Sequence, residues 1–220
     1  MRKNFGAKHL ILPQPVYILG TYNEDGTPNA MNAAWGGISG NTEISVCIGA
    51  RHRTTQNLLR TGAFTVSPGV GAQVVACDYV GLVSGEEVPN KVQKAGLHAE
   101  KAAFVDAPQF QELPLTLECE VVSYDAATGH LQGRIVNVSA AEEILGEGGE
   151  IDAKRLDPLV YDTIGHLLAS GRRGGRGVSR RAASGLSASG GGTLAGGLEK
   201  IEFPLVISRR IRYNYYNLWA

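Results

Sequence analysis

"QPVYILGTYNEDGTPNAMNAAWGGI", residues 14–38, is the stretch on which the fold of this chain turns. Its first nine residues are rich in β-branched and aromatic side chains that suit a pleated strand, and "NEDGTP" (23–28) supplies turn residues with Asp25-Gly26 at their centre. "NAMNAAWGGI" (29–38) then resumes an extended stretch, so the segment reads as a β-hairpin. Small and amide side chains crowd its second arm, and one of the chain's 2 tryptophans, Trp35, stands among them. Small side chains let a flat, hydrogen-bonding ligand reach backbone N–H and C=O groups, and Asn29 and Asn32 can match donors or acceptors. A tight strand crossing in a small barrel also asks for small residues, and composition alone does not choose between the two.

Outward from the hairpin, "EISVCIGA" (43–50) alternates as a third strand. "RHRTTQNLLRTG" (51–62) changes period: Thr54 or Thr55 is placed to cap a helix, Leu58 and Leu59 form its apolar side, Arg60 suits its last turn and Gly62 its end. "AFTVSP" (63–68) returns to strand, "AQVVACDYVG" (72–81) reads as a second short helix, and 84–98 reads as a polar loop. Two longer strands follow, "PLTLECEVVSYD" (114–125) and "HLQGRIVNVSAAEEI" (130–144), around the turn "AATG". Strands spaced by turns with a few short helices predict a mainly β fold, an antiparallel β-barrel with short helices rather than a parallel sheet.

The helix start at 51–57 carries two arginines, a histidine and two hydroxyls. Free N–H groups and the positive dipole end of a helix favour an anion there. Arg53 can grip a phosphate bidentately while Thr54 and Thr55 give hydroxyl protons to its other oxygens. A capped surface helix with incidental charge is the plainer reading of the same residues.

With 220 residues, the chain has room for one sizeable domain. Its formal net charge of zero argues against a nucleic-acid partner, but hides an asymmetry. Residues 1–164 carry 12 Lys and Arg against 19 Asp and Glu, a net of −7, whereas 165–220 carry 9 against 2, a net of +7. No apolar run approaches the roughly 20 residues of a membrane span, and the N-terminus lacks a leader pattern, so no membrane partner and a cytoplasmic location are expected. Cys47, Cys77 and Cys119 show no metal-ligand spacing and are expected to be buried small hydrophobes in a reducing compartment. The 5 histidines form no ligand pair, so no metal site is expected. His130 reads as a structural hydrogen-bonder, and "GVGAQV" (69–74) lacks the third glycine of a dinucleotide fingerprint.

"PVYILGTYNEDGTPNAMNAAWGG", "CIGARHRTTQNLLRTGAFTVS", "DYVGLVSG", "PLTLECEV" and "RLDPLVYD", in that order, resemble the flavin reductase-like family with the FMN-binding split β-barrel, and most of all its flavoredoxin branch. The resemblance runs over roughly residues 10–164, taken as the split-barrel domain 1–164. It implies an FMN held at or near a homodimer interface. Asn29, Ala30, Met31, Asn32, Ala33 and Ala34 would edge the isoalloxazine and ribityl chain, with Trp35 packed near them. His52, Arg53, Thr54, Thr55 and Asn57 would hold the ribityl phosphate, and Tyr79, Val80 and Ser84 would form the far wall, across the dimer.

The implied activity is an oxidoreductase that passes electrons from NAD(P)H, or from a small redox protein, through FMN to a small-molecule acceptor. An electron carrier or flavin store without its own NAD(P)H turnover is the alternative, and a barrel without flavin a third reading. Because the cofactor carries such chemistry, binding residues are named and catalytic residues are left unknown. The resemblance breaks near residue 165. From there to 198 no acidic residue, aromatic or lysine occurs, and Gly, Arg, Ser and Ala dominate. Such a composition is expected to be disordered, an Arg/Gly-rich arm or a segment without selected function, and is what a GC-rich coding stretch yields when read out of frame. A frameshift near 165 is the expectation.

Overall fold

The computed structural model describes residues 1–163 and 167–169. A seven-stranded antiparallel sheet dominates, built from β2 (Tyr17–Tyr22), β3 (Pro28–Ala33), β4 (Gly36–Gly40), β5 (Glu43–Cys47), β6 (Ala63–Pro68), β9 (Leu115–Asp125) and β10 (His130–Ala140). Its strand order is β3-β2-β6-β9-β10-β5-β4. β3 and β4 thus lie at opposite edges while only Ala34 and Trp35 separate them in the chain. Three peptide steps reach at most about 11 Å, so the sheet must curl until its two edges meet. The result is mainly β and barrel-like.

The second arm of the hairpin departs from expectation. Residues 29–38 do not run as a single strand: β3 pairs with β2, then the chain breaks at Ala34–Trp35, and β4 pairs with β5. The Cys47 amide donates to Trp35 O at 2.7 Å and ties the break to the far edge. Gly36 is required there, because a Cβ would lie 2.6 Å from Ser45 O.

Successive side chains of a strand point to opposite faces, and both faces of β2 are covered. Leu19 joins the barrel interior with Ile44, Val46, Phe64, Val66 and Leu131, while Ile18 packs outward in a second core with Val16, Ala76, Val80 and Phe110. Burying each of the Val, Leu, Ile and Phe side chains among them contributes about 1.5–3 kcal/mol. The second core is roofed by α2 (Val74–Leu82), α3 (Lys91–Lys94) and α4 (Ala153–Leu156). α3 lies inside the segment expected as a polar loop. Two small sheets complete the fold, one pairing β7 (Ala99–Lys101) with β8 (Pro108–Phe110), the other ordered β1 (Gln14–Pro15), β11 (Leu159–Tyr161) and β12 (Leu167–Ala169). That last strand continues the fold past residue 164, and the remainder of the expected disordered tail lies outside the described residues.

α1 (Arg53–Thr61) forms where expected and ends on Gly62, whose φ of 70° places it in the left-handed region and whose N–H donates to Leu58 O at 2.9 Å. Its start differs from expectation. His52 is the N-cap residue and makes no side-chain cap, so Thr54 and Thr55 fall inside the first turn. Leu58 is wholly buried in the barrel, but Leu59, one residue and about 100° further round the helix, is exposed. Cys77 and Cys119 are buried as expected, whereas Cys47, at the end of β5, is only half-buried. His130 bonds Ser45 Oγ at 2.9 Å, the structural role read for it. Among the described residues no helix is long and apolar enough to cross a membrane, and no group of His, Cys, Asp or Glu is placed to hold a metal ion.

Candidate functional site

β3 is an edge strand, paired with β2 on one side and, among the described residues, with no strand on the other. An open edge presents backbone N–H and C=O groups to any ligand laid along it. Alternation divides its residues between two faces. Met31 and Ala33 turn to the barrel interior, whereas Ala30 joins the outer core under α2. Asn32, half-buried, gives its side-chain N–H to Cys77 O at 3.0 Å and so ties β3 to α2. Ala34 is buried in the outer core, and Trp35, half-buried, meets the ring of His9 at 5.4 Å with a 50° tilt.

The start of α1 lies against the other end of β3. Asn29 donates to Thr54 Oγ1 at 2.8 Å and to Thr21 Oγ1 at 3.2 Å, and Asn57 donates to Thr21 Oγ1 at 3.1 Å and to Asn23 Oδ1 at 2.9 Å. Asn29, Thr54 and Asn57 are therefore buried in one polar network that joins strand to helix. Thr55 is wholly buried and its hydroxyl donates to Gly49 O at 2.8 Å, which commits that proton to the loop before the helix. Arg53 is half-buried and faces Glu86 at 3.6 Å.

The first turn of α1 has no side-chain cap and no acidic residue of its own, which leaves its leading N–H groups and dipole available to an anion, while the Glu86 carboxylate stands beside it on Arg53. The segment after α2 folds over this turn. Gly85 touches Asn29 and Arg53; a Cβ there would lie 2.7 Å from Asn29 Oδ1. Ser84 accepts from the Glu86 amide at 3.1 Å and so shapes its own turn, while Tyr79 and Val80 pack into the outer core.

Lys91 is the residue that sequence reasoning missed. It is 3% exposed, and its ammonium donates to Val80 O at 3.2 Å and Val83 O at 3.1 Å, the carbonyls at the end of α2. Among the described residues no carboxylate is ion-paired with it, and burial pulls its pKa down to about 8. His52 lies within its field: burial first, and the Lys91 charge second, lower the imidazole pKa and keep it neutral. Two hydrogen bonds leave an ammonium with a third proton to give. A buried cation with no ion-pair partner among the described residues, beside an uncapped helix start and Arg53, is a donor set matched to a phosphate.

A curled antiparallel sheet whose two edges are brought together, with a helix start set against one of them, defines a protein of the split β-barrel class. The chain matches the flavin reductase like domain over residues 9–166 and belongs to that family. Flavoredoxin of Desulfovibrio vulgaris (Miyazaki F) superposes with a TM-score of 0.77 at 32% identity, over 82% of this chain and 100% of its own. Flavoredoxin from Methanosarcina acetivorans follows with a TM-score of 0.72 at 26% identity, over 84% of this chain and 100% of its own. An FMN-binding protein from Thermus thermophilus shares the fold at 20% identity and a TM-score of 0.64, over 80% of this chain and 97% of its own.

Proposed function

We propose that this chain binds FMN and works as a flavin reductase-like oxidoreductase, taking electrons from NAD(P)H or a small redox protein and passing them to a small-molecule acceptor. The observation that carries this reading is the buried Lys91, without an ion-pair partner among the described residues, beside the uncapped start of α1. When bound, FMN supplies the electron-transfer chemistry, and the protein's work is to bind, orient and exclude water. Lys91, Arg53, His52 and the first N–H groups of α1 hold the phosphate, with Thr54 as a hydroxyl donor. Thr55 and Asn57 act as the frame behind them. The open edge of β3 and the residue after it, from Asn29 to Ala34, offer backbone hydrogen bonds to the ring, and their N–H groups favour negative charge on the reduced form. Trp35 closes one end of that surface.

The same reading includes a homodimer. On the outward side of α2, Val75 and Leu82 stand 80% and 48% exposed next to the half-buried Tyr79, a face suited to a second copy. The free cysteines fit a cytoplasmic protein.

The test is anaerobic addition of NADH or NADPH to FMN-loaded protein. Bleaching of the flavin's visible absorption supports a nicotinamide-dependent reductase. Flavin that stays oxidised, yet is reduced by a small redox protein, makes the chain a carrier, and a chain that takes up no flavin refutes the proposal.

A further inference from the structure

The polar network between the hairpin and α1 has a direction. Asp25, in the β2–β3 turn, is a carboxylate and only accepts. Thr27 Oγ1 therefore gives it a proton at 2.6 Å and must itself accept from Asn23 Nδ2 at 3.0 Å. That turns the Asn23 carbonyl toward Asn57, which answers with Nδ2 at 2.9 Å and spends its other N–H on Thr21 at 3.1 Å. Asn29 gives one N–H to Thr21 and the other to Thr54. Thr54 Oγ1 is thus an acceptor on its inner side, and its own proton has no acceptor among the described residues. Thr21, Asn29, Thr54 and Asn57 are each no more than 3% exposed, so water does not reorient them freely.

Resting on the FMN reading, we propose that Asn29, backed by Thr21 and Asn57, is a positioning residue: its amide holds the Thr54 hydroxyl as an obligate donor toward an anion at the start of α1, and so selects phosphorylated over unphosphorylated flavin. Hydrogen bonds from Thr27 keep the Asp25 carboxyl below its usual range, so the far end of the chain stays an acceptor at neutral pH. Asn29→Asp replaces a donor with an acceptor of the same size. Thr54 then donates inward, and its lone pairs face the anion.

The experiment compares FMN and riboflavin, which share the ring and ribityl chain and differ in the phosphate, by equilibrium titration. Thr54→Val and Asn29→Asp are each expected to weaken FMN roughly tenfold or more, the scale of a hydrogen bond to a charged group, while riboflavin changes by less than about threefold. Thr54→Ser restores FMN binding. Because Asn29 acts through Thr54, the double variant is expected to fall no more than about threefold below the worse single one. An added charge acting on the phosphate directly would instead multiply the two losses, and that result overturns the proposal. So does a Thr54→Val protein whose preference for FMN over riboflavin is unchanged. Asn29→Ser carries the same comparison if Asn29→Asp does not fold. Wild-type protein that binds neither flavin overturns the FMN reading and this one together, and is told apart by the wild-type titration alone.

Discussion

Gly81 on α2 and Asn32 on β3 approach so closely that a Cβ on Gly81 would lie 2.8 Å from the Cβ of Asn32. The contact is with an atom next to the backbone, not with a flexible tip, so strand or helix has to move. In an isolated helix, Gly→Ala gains about 1 kcal/mol. Here the overlap outweighs that gain, and Gly81→Ala is expected to destabilise by about 1–3 kcal/mol, as overpacked cores do. Urea denaturation measures it. A net stabilisation would show that α2 does not press on the candidate ring-binding edge.

The two leucines of α1 provide a paired comparison. Leu58 is wholly buried in the barrel interior, and Leu58→Ala is expected to cost about 2–5 kcal/mol. Leu59 is half-exposed, and Leu59→Ala is expected to stay within about 0.5 kcal/mol. Equal losses would mean that the helix sits on the barrel in a different rotation.

Lys91 sets a pH dependence whose sign can be worked out. Its pKa in the fold is about 8 against an ordinary 10.5, so between those values the unfolded chain holds a proton that the folded chain has released. Stability of the flavin-free protein therefore gains from Lys91 as pH rises through that window, by on the order of 3 kcal/mol at 1.36 kcal/mol per pH unit. The contribution is absent below about pH 8 and complete above the ordinary value. Tyr17, Tyr22 and Tyr124 are raised by burial and act in the opposite sense at the alkaline end, so the reading is the difference between wild type and Lys91→Met. Parallel curves for the two proteins would refute it. Because a phosphate restores charge to the ammonium, FMN binding near pH 9 is also expected to take up protons, measurable by calorimetry in two buffers of different ionisation heat.

Among the thiols, burial pushes Cys77 up to about 11 and Cys119 up to about 12. Cys47 is also raised by burial, but it is half-buried and its Sγ only reaches Thr128 O at 3.5 Å. A thiol reagent near pH 8 is expected to label Cys47 first and the other two only on unfolding, read by peptide mass. Equal rates at all three would contradict the described burial.

The hairpin, both principal helices and the long β9–β10 pair were legible because each is written in local signals: Asp25-Gly26 at a turn, Gly62 after a last helical turn, alternation along the strands. The split of 29–38 into β3 and β4 was not. It follows from Gly36 meeting Ser45 at the far edge of the sheet, a contact that no window of sequence contains. The side of α1 taken by Leu59 is decided in the same way, by which face meets the barrel. Residue types at the site could be read, but their directions could not: Asn29, Thr54 and Asn57 face one another, and Thr55 faces Gly49. Lys91 stood in a polar stretch beside Lys94 with nothing local to mark it. Its burial is set by carbonyls at the end of α2, eight and eleven residues away in the chain.

The most direct measurement is a titration of FMN into flavin-free protein, followed by quenching of flavin fluorescence, for wild type and Lys91→Met. The expected result is saturable binding by wild type, competed by inorganic phosphate, and weakened roughly tenfold or more by Lys91→Met, as for loss of a charged hydrogen-bond donor. Absence of saturable binding by wild type, or equal affinity in the two proteins, would contradict a phosphate held between Lys91 and the start of α1.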